Sequence, residues 1–526
     1  MVFVKSKVMI YIIDLIYKAI AMAYSMLYVS FISQIINSFP NKKLLGYGYF
    51  QQIKNILTQM ILSILMVMIV YAVGFLPLNN LFGLMLQIFI GIIVYISGSI
   101  IFHIDSFEYL ISTIKKTDNK KEGRVIMKKI LLLGGSVQQI IAIETAKRLG
   151  YYTVLCDYLT DNPGQYVANK FHLVSTTDKD AVLEVAKKEQ IDGILAYASD
   201  PAAPTAAYVA EKMKLPGSPY RSVDILCNKD KFRSLLSENG FCTPKAKGYD
   251  DIEVAENDLK NSFFSFPVIV KPVDSSGSKG VSRIDDSFEI RNKLEYAMSF
   301  SRGHKIIVEE FVEKFGYQIA GDGLSIDGKL VFRCFANDHF DPNCENPFIP
   351  ISASFPYNMP DNVQLKIHNE IQRLLTLLDM GTTTYNFDIR IDKNYNVYLM
   401  EVAPRDGGNY IPDIIRYCTG IDLVECSVKA AMGESLTNIQ MRPYDGFYAY
   451  YAVHSYANGI LESINIDKAA KQMIIENHIN VKPGDRITTF TGANTTLGIL
   501  LMKFESMNQM LDMMDHSENW ISVKVV

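Results

Sequence analysis

Fifty consecutive residues, 55–104, contain no Asp, Glu, Lys or Arg. An uncharged run of this length needs an apolar environment over most of its surface, which limits how this part of the chain can fold. Pro77 and the pair Asn79–Asn80 interrupt the run near its middle. The two halves, 55–76 and 82–104, are each long enough to cross a bilayer as a helix. The run therefore predicts a hairpin of two transmembrane helices joined by a very short uncharged turn.

Lysines flank this hairpin on both sides. Because positive charge collects on the cytoplasmic side of membranes, both ends of the hairpin are expected in the cytoplasm. An earlier apolar segment, 10–37, contains Asp14 and Lys18 and predicts a third span, with a helix lying on the membrane surface as the alternative. We therefore assign residues 1–115 to a membrane segment with two or three transmembrane helices and 116–126 to a linker. The expected location is the inner (cytoplasmic) membrane of a bacterium, with the rest of the chain in the cytoplasm.

Charge divides the chain at the same place. Residues 1–126 carry 11 Lys/Arg and 5 Asp/Glu, a net charge of +6, whereas the remaining residues carry 41 and 51, a net charge of −10. A net-acidic body argues against nucleic-acid binding, which needs a basic face. The seven cysteines are odd in number and no two are spaced as CxxC, a pattern typical of free thiols in a reducing cytoplasm.

From residue 127 onward, strand-like and helix-like segments alternate. Residues 128–133 (KKILLL) predict a buried strand, a Gly-Gly-Ser turn follows, and 137–149 predict a helix before the next strand at 153–157. This alternation is typical of a parallel α/β layer. Asp157 stands where a dinucleotide-binding fold has an acidic residue, but the turn lacks the GxGxxG pattern, so the sequence argues against a nicotinamide site.

A strand that contains a lysine then leads into a loop of small residues. The segment FPVIVKPVDSSGSKG predicts a strand that ends at Lys271, followed by a flexible loop over 274–280. Small residues let backbone N–H groups approach phosphate oxygens, and the lysine supplies positive charge. These features favour a phosphate-binding loop over the alternative, an ordinary mobile hairpin.

Two alternating segments, TYNFDIRI and VYLMEV, predict a β-hairpin around the turn DKNYN. If the turn is centred on Asn394–Tyr395, paired positions sum to 789 and Asp388 lies opposite Glu401. Like charges about 5 Å apart across a strand pair are destabilising unless something neutralises them. A divalent cation such as Mg²⁺, which also binds ATP phosphates, would do so. Arg390 or Arg405 is the alternative source of neutralising charge.

The motifs along residues 127–526 are Lys229, Lys271, the loop 274–280, VEEFV, Asp388 and MEVAPR followed by GG. Their order resembles that of the ATP-grasp superfamily. Within it the chain is similar to carboxylate–amine ligases related to biotin carboxylase, carbamoyl-phosphate synthetase and L-amino-acid ligases. The resemblance implies a mixed α/β and α+β fold in three parts: a Rossmann-like pre-ATP-grasp domain (127–228), a two-lobed ATP-grasp domain (229–433) and a small β-rich C-terminal domain (434–526).

The resemblance also implies an ATP site. The residues expected to hold the phosphates are two lysines and four loop residues, namely Lys229, Lys271, Ser276, Gly277, Ser278 and Gly280. The Glu309 side chain and the backbone of Glu310 and Val312 are expected to face adenine. Gln318 stands where many relatives have a ribose-binding glutamate, and its side chain can still hydrogen-bond.

A metal site and a phosphate-steadying arginine are implied in the same way. Asp388 and Glu401 are expected to bind Mg²⁺, with Mn²⁺ as a substitute ion, and Arg405 to steady the transferred phosphate. Many relatives have Asn two residues after the metal-binding Glu, where this chain has Ala403. One metal ligand is therefore expected to be absent or replaced by water.

The activity implied is that of an ATP- and Mg²⁺-dependent ligase that activates a carboxylate as an acyl phosphate and joins it to an amine. Arg390, or Arg333 in its place, is expected to pair with the carboxylate of the substrate. The expected partners are a small-molecule acid, a small-molecule amine and a second copy of the chain in a homodimer. The alternative is a membrane-anchored or transport-associated protein that binds nucleotide without turnover.

The N-terminal quarter carries a second resemblance. The strings NSFPNKKLLGYGYFQQIKNIL, FLPLNN and FEYLISTIKK are similar to the end of an oligosaccharide (O-antigen) flippase. Two or three helices cannot form a translocation path, so we interpret the segment as an anchor or a relic. It extends the functional expectation to surface polysaccharide biosynthesis. The junction KKEGRVIMKK, with Met127 directly before the first strand, also leads to the hypothesis that two neighbouring genes fused by loss of a stop codon.

Overall fold

The structure is a computed structural model, and it describes residue 62 together with residues 64–75, 80–101, 127–286, 288–437 and 439–526. The chain forms two compact units, Met1–Ile126 and Met127–Val526. The span predicted at 10–37 and the linker predicted at 116–126 lie outside the described residues.

The described part of the first unit contains two apolar helices, α1 (Ile64–Val73) and α2 (Asn80–Ile101). Leu62 packs on Gly98, near the end of α2, so closely that a Cβ at Gly98 would lie 2.2 Å from the leucine side chain. Among the described residues, only Phe82–Ser99 is long and apolar enough to cross a membrane, judged by length and composition. The predicted set of two or three transmembrane helices is therefore not confirmed, since the described part of α1 is too short to span a bilayer.

The second unit begins with a parallel α/β layer, as predicted. Its strands are Lys129–Leu133 (β1), Tyr152–Asp157 (β2), Lys170–Leu173 (β3) and Gly193–Leu195 (β4), and its helices are Ile140–Arg148 (α3), Lys179–Glu189 (α4), Ala203–Met213 (α5) and Tyr220–Leu226 (α6). The strand order is β3-β2-β1-β4 and all pairs are parallel. Asp157 accepts hydrogen bonds from the N–H groups of Gly135 (2.7 Å) and Leu159 (2.8 Å), so its carboxylate holds the turn after β1 together.

An antiparallel sheet forms the next lobe. It comprises Ala246–Tyr249 (β5), Val268–Pro272 (β6), Ser282–Ile284 (β7) and Ile306–Glu310 (β8), with helices Lys229–Glu238 (α7), Ile252–Lys260 (α8) and Ile290–Ser299 (α9). The strand order is β5-β8-β6-β7, and apolar residues of α8, α9 and the strands share one core. The stretch rich in glycine and serine joins β6 to β7, where a loop was predicted.

The remaining elements build two further sheets. The strands are Gln318–Ile326 (β9), Lys329–Phe340 (β10), Pro350–Phe355 (β11), Thr383–Ile391 (β12), Val397–Ala403 (β13), Phe447–Val453 (β14), Gly459–Ile466 (β15), Ile474–Ile479 (β16), Arg486–Ile487 (β17), Gly498–Phe504 (β18) and Ile521–Val525 (β19). The helices are Asp361–Leu377 (α10), Ile411–Thr419 (α11), Leu423–Ala431 (α12), Lys468–Met473 (α13) and Met507–Asp515 (α14). Eight strands form one sheet in the order β13-β12-β9-β10-β11-β14-β18-β16, and β17-β15-β19 form a small sheet. Strands from the C-terminal part thus extend the sheet that carries β12 and β13, and the division into domains at 229 and 434 stays a prediction.

The register of β12 and β13 places Asp388 opposite Glu401, as predicted. Phe387 and Ile389 belong to the apolar core that β12 shares with the parallel layer, so the residue between them points to the other face of the sheet. The pairing sum of 789 holds as far as Asp388, but beyond it a bulge at Met400 shifts the register by one. Bulges bend a strand locally and are frequent beside active sites.

Candidate active site

A cleft lies between the β5–β8 sheet and the face of the eight-stranded sheet that carries Asp388. Twelve of the fourteen predicted site residues line it, namely Lys229, Lys271, Ser276, Gly277, Ser278, Glu309, Glu310, Val312, Gln318, Asp388, Arg390 and Glu401. Gly280 and Arg405 do not line it. One cleft therefore brings together most of the residues that were chosen from separate sequence motifs.

Two carboxylates face each other in this cleft. Glu401 is paired with Lys229 (Oε2 to Nζ, 3.2 Å). Oδ1 of Asp388 is buried and, within the described part of the chain, has no hydrogen-bond partner. Burial, with a smaller contribution from Glu401 that Arg390 opposes, raises the pKa of Asp388 to about 6. A buried carboxylate oxygen without a partner, next to a second carboxylate, is a set of hard ligands suited to Mg²⁺.

Among the described residues, neither candidate arginine pairs with these carboxylates. Arg405 makes a bidentate ion pair with Asp200, with both N–O distances 2.7 Å. Arg390 donates from Nε to Oε1 of Gln318 (2.7 Å) and from Nη1 to the carbonyl of Val312 (3.0 Å). Arg390 therefore orders the cleft wall formed by Val312 and Gln318, and its predicted contact with a substrate carboxylate stays a prediction. Without a direct arginine partner, the carboxylate pair is suited to a bound cation.

Lys229 reaches the cleft from the first residue of α7. Asn228 caps this helix by accepting a hydrogen bond from the N–H of Lys231 (3.2 Å). The lysine Nζ then lies 2.9 Å from the Ser275 carbonyl and 3.2 Å from Glu401. A loop carbonyl and a carboxylate hold the ammonium group at a position where a phosphate could replace either of them.

Lys271 is held by a buried ion-pair network. Its Nζ is bonded to Glu309, whose other oxygen accepts from Nε of Arg233 (2.9 Å). Arg233 also donates to the carbonyls of Leu399 (3.3 Å) and Met400 (2.9 Å). Burial alone would raise the pKa of Glu309, but Arg233 and Lys271 lower it to about 2. The Glu309 carboxylate, 1% exposed, thus positions Lys271, and its two ion pairs do not agree with the adenine contact predicted for this side chain.

The loop between β6 and β7 has left-handed backbone at Gly277 (φ 67°), Ser278 (φ 55°) and Gly280 (φ 72°). A Cβ at Gly280 would meet the proline ring at the end of β6 at 2.9 Å, so this glycine shapes the loop. Ser278 ties the loop to the segment after β10: its hydroxyl donates to the Phe348 carbonyl (3.0 Å) and its carbonyl accepts from Asn346 (2.9 Å). Because Phe348 also lines the cleft, these contacts hold the loop over it.

A second cavity adjoins the cleft and shares Lys229 and Glu401 with it. Its walls include Asp200 and Arg302, and Arg405 borders it through the ion pair with Asp200. A molecule bound in this second cavity would therefore approach the charged residues that the two cavities share.

Arg233 and Asp200, which form ion pairs with predicted site residues, were not predicted. Arg233 lies four residues after Lys229 on α7, so helical spacing could have pointed to it. Asp200 follows β4, at the carboxyl end of a parallel sheet, where ligand-binding residues collect. Its contact with an arginine 205 residues away has no sequence signal. Arg333, the alternative to Arg390, does not line the cleft; it donates to Gln364 at 3.4 Å.

The fold and the site together define the class of protein. A Rossmann-like layer, two lobes that enclose a cleft, two lysines, a loop of small residues and an opposed Asp–Glu pair agree with the resemblance to the ATP-grasp superfamily that the sequence motifs carry. Several relatives and solved neighbours of the chain are named as synthases, synthetases or ligases.

Comparisons with known proteins agree with this class. The family described as "D-ala D-ala ligase C-terminus" matches residues 243–411. A formate-dependent phosphoribosylglycinamide formyltransferase from Prochlorococcus marinus (strain NATL2A) is 33% identical over 193 residues, which is 36% of this chain and 49% of that protein. Among solved structures, an L-amino acid ligase from Bacillus licheniformis has a TM-score of 0.64 at 22% identity and covers 76% of this chain and 99% of its own. A phosphoribosylglycinamide synthetase from Anaerococcus prevotii has a TM-score of 0.59 at 21% identity, covering 76% and 100%.

The chain spans about half the length of the curated relatives that it matches first. The likeness to solved structures, at these identities, concerns the fold. These comparisons give no support to an oligosaccharide-flippase fragment at the N-terminus, so that expectation is not confirmed.

Proposed function

We propose that the chain is an ATP- and Mg²⁺-dependent ligase that activates a carboxylate as an acyl phosphate and joins it to an amine. The observation that carries this proposal is the opposed pair Asp388–Glu401, in which one buried oxygen has no partner among the described residues. Lys229, Lys271 and a loop of small residues surround the pair. The fold shared with ligases and synthetases supports the same conclusion.

The reaction follows from the charges in the cleft. An oxygen of the substrate carboxylate attacks the γ-phosphorus of ATP, and ADP leaves. Mg²⁺ held by Asp388 and Glu401 would offset the negative charge of the phosphates. When the ATP phosphates enter, the ammonium group of Lys229 would leave Glu401 and pair with a phosphate oxygen. Lys271 would keep its position because Glu309 holds it. An amine nitrogen then attacks the acyl carbon, phosphate leaves, and the proton of the nitrogen passes to solvent.

Water has to be excluded while the acyl phosphate exists. The loop over 274–280 is placed for this role because Ser278 is hydrogen-bonded to Asn346 and Phe348, which belong to the segment after β10. The backbone of Gly277 is left-handed, a conformation that is strained for most other residues. The structure of the loop therefore fits a lid that covers the phosphates.

We assign the nucleoside of ATP to the wall formed by Val312, Gln318 and Arg390. Arg390 donates hydrogen bonds to the carbonyl of Val312 and to Oε1 of Gln318. The amide NH₂ of Gln318 can then donate to a ribose oxygen. The acid and the amine would enter through the second cavity, which meets the cleft at Lys229 and Glu401.

The test is an ADP-release assay on the purified full-length protein in detergent, with ATP, Mg²⁺ and pools of acids and amines. The pools include amino acids and uronic acids, since the N-terminal resemblance suggests substrates of surface polysaccharides. ADP and phosphate should form in equal amounts, only with an acid and an amine together, and EDTA should stop the reaction. Glu401→Gln should abolish turnover, whereas Glu462→Gln, at an exposed site on β15, should not change it.

Other outcomes would contradict the proposal. AMP and pyrophosphate as products would exclude an acyl phosphate. ATP binding without turnover in every pool would favour the alternative, a protein that binds nucleotide only.

We also propose that the N-terminal segment anchors the enzyme in a bacterial cytoplasmic membrane, with residues 127–526 in the cytoplasm. The uncharged run 55–104, the lysines on both sides of it and the apolar stretch Phe82–Ser99 support this location. The protein should stay in the membrane fraction after a carbonate wash, and release by the wash would contradict the anchor.

A further inference from the structure

Asp341, Cys344 and His454 form a buried cluster outside the ATP cleft. A carboxylate oxygen, the sulfur and an imidazole nitrogen, one from each residue, lie within 4.8 Å of one another. Asp341 and Cys344 share the turn after β10, where the Cys344 N–H donates to the Asp341 carbonyl (3.2 Å), and His454 follows β14. The proposed ligase chemistry uses none of the three.

Hydrogen bonding orients His454 toward the other two residues. Its Nδ1 lies 2.8 Å from the Ala452 carbonyl, so Nδ1 carries the ring proton and Nε2 carries a lone pair. Nε2 lies 3.7 Å from Oδ2 of Asp341, which is too long for a hydrogen bond. A nitrogen lone pair thus faces a carboxylate oxygen, an arrangement that a bound cation would satisfy.

Hydrogen bonds also orient Asp341, and apolar and aromatic residues surround the cluster. Asp341 accepts from the N–H of Asn343 (2.8 Å), and the hydroxyl of Tyr456 donates to its Oδ2. The ring of His454 stacks on Phe490, with centroids 4.9 Å apart, and the cysteine of the cluster belongs to the apolar core of the C-terminal part. Outer hydrogen bonds that fix the ligands, inside an apolar shell, are typical of metal sites in proteins.

We propose that Asp341, Cys344 and His454 bind a Zn²⁺ ion. A mixed set of sulfur, nitrogen and oxygen donors favours zinc over Mg²⁺, which prefers oxygen ligands. Three protein ligands leave the fourth tetrahedral position to a water molecule. The thiol proton of Cys344 passes to solvent as the zinc–sulfur bond forms, and no electron is transferred.

This site would act on the ATP cleft through the segment after β10. The ligands join residues 341–344 to the end of β14, and the same segment carries Asn346 and Phe348, which bind Ser278 of the loop over the cleft. Bound zinc would therefore stabilise the closed position of that loop. This consequence rests on the proposed function, whereas the metal site itself does not.

Trp520, the single tryptophan of the chain, gives a probe for the site. Its ring packs on Tyr451 with centroids 4.7 Å apart, and Tyr451 lies 5.9 Å from the ring of His454. The purified full-length protein, freed of metal by a chelator and kept reduced, is titrated with Co²⁺ as a spectroscopic substitute for zinc. We expect a thiolate-to-cobalt charge-transfer band, quenching of Trp520 fluorescence, and loss of both signals when Zn²⁺ is added.

Variants identify the ligands. Cys344→Ser and His454→Gln should lose the band and bind Zn²⁺ at least about 10-fold more weakly, whereas Cys426→Ser, at a buried cysteine on α12, should keep both signals. Asp341→Asn keeps the thiol, so it tests the site if Cys344→Ser does not fold. Cobalt bound by Asp388 and Glu401 would give no thiolate band. A wild-type protein without the band, or a band that persists in Cys344→Ser, would overturn the zinc site whether or not the protein is a ligase.

Discussion

Two groups of charged residues at the same cleft differ in how completely their charges are satisfied. The closed triad is Lys271, Glu309 and Arg233, and the open triad is Lys229, Glu401 and Asp388. In the closed triad each oxygen of Glu309 has a cationic partner. In the open triad the ammonium group of Lys229 pairs with Glu401, and a buried oxygen of Asp388 has no partner among the described residues. The closed triad is complete within the protein, whereas the open triad needs a cation.

The difference separates positioning from ligand binding. A buried charge is tolerated when it is paired and hydrogen-bonded, and removing one partner is strongly destabilising. The closed triad therefore fixes Lys271 in the free protein. The open triad leaves a local electrostatic conflict in the folded chain, and such conflicts collect at functional sites. The two triads should respond to substitution in opposite ways.

The largest expected effect is on catalysis, at the open triad. Asp388→Asn should lower the rate of ADP formation by about 10³-fold, a loss typical of removing one group that offsets charge in the transition state. Its melting temperature without metal should be unchanged or higher, because the substitution removes a like charge opposite Glu401. Steady-state ADP release and calorimetry in EDTA measure the two quantities. A joint loss of activity and stability would make Asp388 a structural residue and remove the contrast.

At the closed triad the main effect should be on stability. Glu309→Gln leaves Lys271 and Arg233 without their shared counter-charge, so the free energy of unfolding should fall by about 3–5 kcal/mol. Urea denaturation measures the change. The control is Glu310→Gln, the next residue on β8, whose side chain accepts one hydrogen bond from the N–H of Ser265 (2.9 Å) and should cost less than about 1.5 kcal/mol. Equal stability of the two variants would contradict the positioning role.

The triads also differ in how far the sequence predicts them. The opposition of Asp388 and Glu401 follows from strand alternation and one turn, because the register of a hairpin is a local property. The bulge at Met400 is not visible in that pattern. The contact of Glu309 with Arg233 joins residues 76 apart and depends on how α7 packs beside β8, so the sequence predicts the position of Glu309 at the cleft but not its partners.

The same distinction holds for the fold. Alternation of strands and helices predicts the parallel layer, since α-helices follow β1, β3 and β4. Only a 3-10 turn, Pro163–Tyr166, separates β2 from β3. The pairing of β11 with β14 in the eight-stranded sheet joins segments on either side of the predicted boundary at 434. Such pairing depends on long-range packing that residue patterns do not encode. The arginine partners of Asp200 and Gln318 could not be predicted for the same reason.

The pH dependence of stability should separate the triads further. In the folded protein the pKa of Asp388 is raised from 3.8 to about 6, so ionisation of this carboxyl destabilises the fold. The destabilisation is absent below about pH 4 and complete above about pH 6–7, where it is on the order of 3 kcal/mol. The pKa of Glu309 is lowered from 4.5 to about 2, so its contribution is present above pH 4.5 and lost as the pH falls toward 2.

In EDTA, the stability advantage of Asp388→Asn over the wild type should therefore grow between pH 4.5 and 7.5. Mg²⁺ with ADP should reduce this advantage, because the cation favours the ionised carboxylate. Urea denaturation across this pH range checks both expectations. An advantage that does not change with pH would show that the unpartnered oxygen of Asp388 is not under electrostatic stress.

The smallest expected effect concerns the wall of the cleft to which we assign the nucleoside. There Oε1 of Gln318 accepts a hydrogen bond from Nε of Arg390 at 2.7 Å. Gln318→Glu keeps an acceptor for Arg390 and replaces an N–H donor by a second oxygen that can accept from ribose hydroxyl groups. Arg390 would keep its bond to the Val312 carbonyl, so the backbone that we propose to face adenine should not move. The contact is the same before and during phosphoryl transfer, and the KM for ATP should change less than about 10-fold with kcat unchanged. If kcat fell as far as in Asp388→Asn, the nucleoside wall would also act in the transition state, and groups satisfied within the free protein could no longer be equated with positioning alone.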